Sequence, residues 1–332
     1  MSLFERARRG LQLFGLWTSL LIVLTPLRHA YARARCAQPR RRGPALWWAA
    51  WRAVTARPRA ASPLSAFTLP GALRSYEVSG RCVTMQCERA TLHIVVLADD
   101  VLRLHVQRPG EPLDAFSYAV ARCDEQWPAA PFSVRLEPAA LVIETAAVVC
   151  RVSRDDSRIA VHDRHSGREV MRSAWGPGWH GDDVACSFQL ADEERVYGLG
   201  EKAFGMNRRG RVYQMWNDDP SGAYAPGKDP LYLGIPFYLG VRGPHACDVF
   251  FDNAHRGAVD AGCSVTDRLT MRACGGPMRW YLLAGPTATD VLRRFTELTG
   301  RMRLPPLWAL GYHQSRWSYT PAQRVLQVAA EF

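Results

Sequence analysis

Short runs of β-branched and apolar residues, separated by turn-forming residues, constrain the fold of this chain most. In residues 102–106 apolar and polar residues alternate strictly, which is typical of a half-buried antiparallel strand. Turn-forming residues separate the runs, for example at 98–100 and 165–167. Because almost no helical pattern lies between the runs, the sequence predicts a mainly β fold, an all-β sandwich. We predict strands at residues 82–87, 91–97, 101–106, 132–137, 141–145, 148–153, 158–162, 184–190, 212–216, 237–241, 247–251, 268–272 and 278–283.

The pattern changes after residue 286. Thr287 can cap a helix that has an acid, Asp290, at its N3 position, and Gly300 is placed to end that helix. The apolar run at residues 307–310 predicts a strand. Thr320 predicts the start of a second helix, with proline at N1 and glutamine at N3. The apolar face of that helix consists of Val325, Leu326, Val328, Ala329 and Phe332.

A strand followed by a helix is the first unit of a β/α architecture. A single unit of this kind cannot cover its own apolar surfaces. We therefore expect the chain as given to be incomplete, with more of the β/α part following residue 332.

The net charge of +11 belongs to one end of the chain. Of the 42 basic and 31 acidic residues, twelve arginines and a single acid, Glu5, fall within residues 1–60. Residues 61–332 therefore carry 30 residues of each sign, and this balance argues against a nucleic-acid partner for the globular part.

The first thirty residues have the pattern of an export signal. Arginines 6, 8 and 9 precede an apolar run at residues 11–25, and an Ala-Tyr-Ala sequence follows at 30–32. The run is shorter than the roughly 20 residues that a spanning helix needs. The stretch at 33–59, rich in Arg, Ala, Pro and Trp, argues against simple export; it is either a basic linker or an upstream extension that is not present in the mature protein. Export or membrane attachment, the latter only through residues 1–30, and a cytoplasmic location both stay open.

Nine cysteines are scattered along the chain, and no Cys-x-x-Cys pair occurs. The spacing typical of zinc or iron–sulfur sites is therefore missing, and we predict neither a metal nor a cofactor. Several cysteines sit within apolar alternation, as Cys150 does, so we interpret them as small buried hydrophobic residues.

Three segments are rich in Trp, Tyr, Asp and Gly. In residues 197–202 (YGLGEK) two glycines indicate a tight strand exit, and the simplest interpretation of the final Glu-Lys pair is a surface ion pair. In residues 213–220 (YQMWNDDP) Trp216 precedes two adjacent acids. Carboxylates accept hydrogen bonds from sugar hydroxyls and aromatic faces stack on sugar rings, so this segment suits a polyol; a solvated turn capped by Asp218 or Asp219 is the alternative.

The third segment is residues 305–319 (PPLWALGYHQSRWSY). His313, Arg316 and Trp317 lie where a barrel strand would end, and barrels of this kind place their chemistry at the carboxyl ends of their strands. These three residues are therefore weaker candidates for substrate binding. The alternative is that His313, Trp308 and Trp317 are buried packing residues.

Together and in this order, the three segments and the run from Tyr232 to residues 236–238 resemble glycoside hydrolase family 31, the α-glucosidase and α-xylosidase family. The resemblance covers roughly residues 76–332 and is firmest after residue 195. It implies a galactose-mutarotase-like β-sandwich at residues 61–285. A linker helix and the start of a truncated (β/α)8 catalytic barrel are expected at 286–332, with a basic segment, a signal or anchor plus linker, at 1–60.

The resemblance also implies roles. The chain would belong to a retaining enzyme that hydrolyses terminal α-linked glucosyl, xylosyl or galactosyl residues of an oligosaccharide or glycoside. Asp219 would bind substrate, because it occupies the last position of a Trp-Asn-x-Asp pattern, with Trp216 as a weaker candidate. The nucleophile and the acid/base aspartate lie on later barrel strands in this family, so we expect no catalytic residue here. No sequence feature indicates an oligomeric state.

Two other functions stay open. A non-catalytic carbohydrate-binding module would use the sandwich alone, although it would have no use for residues 304–332. A mutarotase-like epimerase needs a histidine and a carboxylate on opposite sides of a sugar ring. The candidate histidines are His93, His105, His162, His165 and His180, and none of them lies in a recognisable motif.

Overall fold

The computed structural model describes residues 64–113, 116–220, 224–314 and 319–332. The predicted export signal and linker lie outside these ranges. The described residues form two antiparallel β-sheets packed face to face, followed by two helices. No helix among them is long and apolar enough to span a membrane. The mainly β fold expected from the sequence is confirmed.

The first sheet has eight strands in the order β1-β2-β3-β4-β17-β14-β13-β11. Their bounds are β1 Leu73–Ser79, β2 Cys82–Cys87, β3 Thr91–Ala98, β4 Val101–Gln107, β11 Arg195–Gly198, β13 Phe237–Arg242, β14 His245–Phe251 and β17 Met278–Gly285. The second sheet has nine strands in the order β12-β15-β16-β10-β9-β8-β7-β6-β5. Their bounds are β5 Ser133–Leu136, β6 Ala140–Glu144, β7 Val148–Ser153, β8 Ile159–Asp163, β9 Glu169–His180, β10 Asp183–Gln189, β12 Arg211–Met215, β15 Gly257–Ala261 and β16 Arg268–Ala273.

All thirteen strands predicted between residues 82 and 283 are present, with bounds that differ by at most two residues. Alternation made strands such as β7 visible, because one face packs in the core, whereas β14 and β17 are buried along nearly their whole length and were visible from their apolar composition. The sequence did not indicate β1, β9 or β15. The long strand β9 contains Gly176, Pro177 and Gly178, residue types that are depleted in strands, and β1 is an edge strand with mostly exposed residues.

The main core lies between the two sheets. Alternate residues of the first sheet, such as Ile94, Leu104 and Trp280, face Phe188 and Met271 of the second. Three of the described cysteines, at positions 150, 186 and 247, are buried as predicted. Burial raises the pKa of the Cys150 and Cys247 thiols to about 12, which keeps these thiols protonated and unreactive.

Helix α1 (Ala288–Thr299) covers the outer face of the first sheet, where it packs against β14 and β17. The predicted cap is confirmed, because Asp290 N donates to Thr287 Oγ1 at 3.3 Å and Gly300 ends the helix. Its Phe295 ring contacts those of Phe237 and Phe250, with ring centroids 4.2 and 5.4 Å apart. The helix therefore closes a second apolar cluster on the outer face.

Asp248 lies on the face of β14 that this second cluster covers. Its backbone pairs with Leu239 of β13 and Leu283 of β17, two leucines of the cluster. The side chain is fully buried, and neither carboxylate oxygen has a hydrogen-bond partner. Desolvation by burial raises the pKa of this carboxyl well above its usual range.

The prediction of a strand at residues 307–310 is wrong. This run forms a short 3-10 helix, Leu307–Leu310, closed by hydrogen bonds from Ala309 N to Pro306 O and from Gly311 N to Trp308 O. Each sheet described above is complete without it, and a strand with no neighbour leaves its backbone groups unpaired, so local turns satisfy them instead. Two other short 3-10 helices occur at Leu64–Ala66 and Asp124–Gln126.

The second predicted helix is present as α2, Ala322–Glu331. It begins one residue later than the sequence indicated, after Pro321, and that N-cap makes no side-chain hydrogen bond; the predicted cap at Thr320 is therefore wrong. Its apolar face is exposed at Val325, Leu326 and Phe332.

Candidate functional site

Three consecutive residues at the end of β11 adopt the left-handed backbone conformation. The φ angles of Gly198, Leu199 and Gly200 are 92°, 67° and 78°. A β-carbon on Gly200 would clash with the carbonyl oxygen of Leu233 and lie 2.8 Å from Ile235 N. The strand exit predicted at residues 197–202 therefore packs closely against the backbone of residues 233–235, an approach that only glycine permits.

Lys202, at the end of the same segment, is fully buried. Its ammonium lies 2.7 Å from Asp229 Oδ1 and donates to the carbonyl oxygen of Gln214 at 2.6 Å. The interpretation of Glu201 and Lys202 as a surface ion pair is therefore wrong. The acid that pairs with Lys202 is 27 residues away in sequence, at a place that no local pattern could indicate.

The loop that follows β12 carries the second predicted segment. We call the described residues between 216 and 234 the Asp219 loop. At its start, Asn217 Oδ1 accepts a hydrogen bond from Gly234 N at 2.6 Å, and Asp218 N donates to Leu231 O at 2.9 Å. The outgoing and returning ends of the loop are thus fastened to each other.

Asp219 itself is exposed at this loop. Its Oδ1 accepts a hydrogen bond from the hydroxyl of Tyr232 at 3.2 Å, and the hydroxyls of Tyr232 and Tyr224 are also hydrogen-bonded to each other. Both tyrosine side chains are exposed. The structure therefore brings together an accessible carboxylate and two accessible aromatic rings, the chemistry that suits a polyol ligand.

Trp216 lies three residues before Asp219 and is also exposed. The guanidinium carbon of Arg256 lies 5.6 Å from the centre of its ring, a cation–π arrangement. This contact restrains the indole from one side. Arg256 belongs to the turn before β15, and no sequence pattern indicated that it reaches the Asp219 loop.

The weaker candidates in the third segment are placed differently. His313 is exposed, and its Nε2 is 2.7 Å from the carbonyl oxygen of Ala309 in the neighbouring 3-10 helix. Trp308 is 82% exposed in this chain. Arg316 and Trp317 lie outside the described residues.

Two of the histidines considered for an epimerase, His93 and His105, are buried on the outer face of the first sheet, with ring centroids 6.3 Å apart. His93 is hydrogen-bonded to Thr84 and Gln107. Burial, together with Arg279, lowers the pKa of His105 to about 4, so its imidazole is neutral near pH 7. Both rings are enclosed within the fold.

Within the described ranges, no cluster of three or more His, Cys, Asp or Glu side chains is arranged to hold a metal ion. The Asp219 loop presents a carboxylate, tyrosine hydroxyls and aromatic faces, groups that can bind a neutral, hydroxyl-rich ligand.

Two family models match this chain. A family model described as the glycosyl hydrolase 31 N-terminal galactose mutarotase-like domain matches residues 91–260. A second, described as the glycosyl hydrolases family 31 TIM-barrel domain, matches residues 302–332. The first match includes the Asp219 loop, and the second includes His313.

Two proteins of similar sequence are α-glucosidases. Alpha-glucosidase 2 of Bacillus thermoamyloliquefaciens is 33% identical over 263 residues, which are 79% of this chain and 33% of that protein. The alpha-glucosidase of Saccharolobus solfataricus is 38% identical over 148 residues, 45% of this chain and 21% of that protein. This chain thus spans about a third or less of the length of either relative.

A solved structure agrees with these matches. The family 31 dextranase of Flavobacterium johnsoniae, solved in complex with isomaltotriose, superposes with a TM-score of 0.72 at 28% identity, over 80% of this chain and 32% of that one. The sandwich, the order of the matched segments and both family models agree. The two relatives named above are α-glucosidases. The chain belongs to glycoside hydrolase family 31, a family of glycosidases.

Proposed function

We propose that this chain is the sugar-contacting, N-terminal portion of a retaining α-glycosidase that acts on terminal α-linked glucosyl residues, with xylosyl or galactosyl residues as the alternative sugars. The observation that carries the proposal is the accessible carboxylate of Asp219 beside Tyr232 on a loop fastened at both ends. The names of the two α-glucosidase relatives and the isomaltotriose complex of the dextranase support glucose as the sugar.

In this proposal Asp219 accepts hydrogen bonds from two hydroxyls of the terminal sugar. A carboxylate is a stronger acceptor than a neutral oxygen, because its hydrogen bonds are charge-assisted. Trp216 supplies an apolar surface beside the sugar, and His313, Arg316 and Trp317 of the third segment are weaker candidates for substrate contact. Asp219 is here a substrate-binding residue, and no proton or bond transfer is assigned to it.

We expect Asp219→Asn to weaken binding of isomaltose by about tenfold or more, because a hydrogen bond to a charged group contributes about 1.5–3 kcal/mol. Calorimetric titration of the full chain measures this. Asp218→Asn is the matched control, since it makes the same change of charge one residue away on a side chain that is less exposed. Equal losses in the two variants would assign the effect to net charge and contradict the proposal.

We also propose that the two carboxylates that break the glycosidic bond are not in this chain. Retaining chemistry needs two carboxyl groups about 5–5.5 Å apart on either side of the bond. The stretch that matches the barrel model, residues 302–332, contains a single acid, Glu331. Glu331 lies in α2, 3.4 Å from Arg324 Nη1.

The chain by itself is therefore expected to release no nitrophenol from 4-nitrophenyl α-glucoside above the buffer rate. The measurement is absorbance of released nitrophenol at several chain concentrations, with Glu331→Gln as the control for the one acid in the barrel-matched stretch. A rate that rises in proportion to this chain, whether or not it survives Glu331→Gln, would overturn the statement.

A further inference from the structure

Three hydrogen bonds close a ring at the base of the Asp219 loop. Lys202 Nζ donates to Gln214 O at 2.6 Å and to Asp229 Oδ1 at 2.7 Å. The second carboxylate oxygen, Asp229 Oδ2, accepts from Gln214 N at 2.6 Å. The side chains of Lys202 and Asp229 are 0% and 10% exposed, so the ring is largely shielded from water.

The position of the ring in the chain gives it a mechanical role. Gln214 lies in β12, just before the Asp219 loop leaves the sheet, and Asp229 lies on the part of the loop that returns. Lys202 lies in neither β12 nor the Asp219 loop, because it follows the end of β11. Next to it, Glu201 N donates a hydrogen bond to Leu233 O of the loop at 2.8 Å. The ring therefore ties the Asp219 loop to β12 and to the first sheet at once.

We propose that Lys202 is a positioning residue for sugar recognition: through Asp229 and Gln214 it holds the Asp219 loop in the place where Asp219 meets the sugar. This inference rests on the proposed function. The physical reason is that a buried carboxylate that stays ionised must be paired with a positive charge. Without the ammonium of Lys202, Asp229 is an uncompensated charge that draws in water or moves outward, and the loop moves with it.

The ring can be tested apart from sugar binding by hydrogen exchange. In Lys202→Met we expect faster exchange at the amide of Gln214 and at the amides of the Asp219 loop, with unchanged exchange in β6–β8 of the second sheet, which lie far along the sheet from β12. Lys228→Met is the matched control: it is the same substitution at a partly exposed lysine next to Asp229. Wild-type exchange in Lys202→Met would overturn the inference.

The role in recognition is tested by coupling to Asp219. Lys202→Met is expected to weaken isomaltose binding about tenfold, whereas in an Asp219→Asn background the same substitution is expected to change the affinity less than twofold. A merely structural contribution of Lys202 would cost the same in both backgrounds. Equal fold-losses in the two backgrounds, or faster exchange with unchanged affinity in the wild-type background, would overturn the positioning role.

Lys202→Met leaves Asp229 unpaired and can prevent folding, so Lys202→Met/Asp229→Asn is measured beside it. The double variant has no uncompensated charge but still lacks the bridge to the Gln214 carbonyl, and we expect it to show the same faster loop exchange and the same loss of affinity. Wild-type exchange in this variant would overturn the inference. Failure of the unmodified chain to bind isomaltose would instead contradict the proposed function, and the positioning role with it, while the exchange data would still report on the ring.

Discussion

Replacing Gly200 by alanine is expected to lower the free energy of unfolding by about 2–5 kcal/mol. Two costs add: about 1–2 kcal/mol for a residue with a β-carbon in the left-handed region, and about 1–3 kcal/mol for forcing an atom into packed surroundings. The surroundings are the Leu233 carbonyl oxygen and Ile235 N, and neither is the movable end of a flexible side chain. The backbone of the Asp219 loop must therefore shift.

Urea unfolding followed by intrinsic fluorescence measures this cost. Gly210→Ala is the matched control, because Gly210 has a similar φ of 86° and a β-carbon there would meet nothing within 4 Å. That control is expected to cost only the conformational part, about 1–2 kcal/mol. If Gly200→Ala and Gly210→Ala were equally destabilising, the close contact between the β11 exit and the Asp219 loop would be contradicted.

Asp248→Leu is expected to stabilise the protein by about 1–3 kcal/mol near neutral pH, because it removes a buried polar group that has no hydrogen-bond partner. The substitution places an apolar side chain next to Leu239 and Leu283, whose strands flank β14. The measurement is again urea unfolding of the variant and the unmodified chain.

The pH dependence of folding stability tests whether the Asp248 carboxyl is buried and protonated. The pKa of Asp248 is raised in the folded state, so above about pH 4 the folded chain holds a proton that the unfolded chain has released. Folding stability therefore falls as pH rises from about 4 toward the raised pKa, and this loss is absent in Asp248→Leu. The advantage of the variant should be smallest near pH 4 and grow with pH; an advantage that is the same at pH 4 and pH 7 would contradict the buried, unpaired state of this carboxyl.

The sheets could be predicted because burial imposes a simple alternation on the sequence. Strands such as β4 and β7 have one face in the core between the sheets, and their residues show it directly. Strand β9 could not be found in this way, since its Gly-Pro-Gly stretch has the composition of a turn and only its pairing with β8 and β10 makes it a strand. The run at 307–310 failed for the converse reason: its composition suits a strand, and no strand of the described sheets pairs with it.

Some residues of the candidate site could be predicted from the sequence, and others could not. Asp219 and Trp216 stood out because two acids and an aromatic lie within four residues of each other. The ring that supports them did not, since Lys202, Gln214 and Asp229 come from three separate places in the chain. The neighbouring Glu201 was the natural partner to assume for Lys202, and only the folded structure shows that the acid lies 27 residues further along.

We propose that the Asp219 loop contacts the sugar through one carboxylate, that of Asp219. The most direct test is the ratio of isomaltose dissociation constants for Asp219→Asn and Asp218→Asn, measured by titration of the full chain under one set of conditions. We expect a ratio of about ten or more, since only Asp219 is expected to lose a charge-assisted hydrogen bond to the ligand. A ratio near one, or a larger loss in Asp218→Asn, would contradict it.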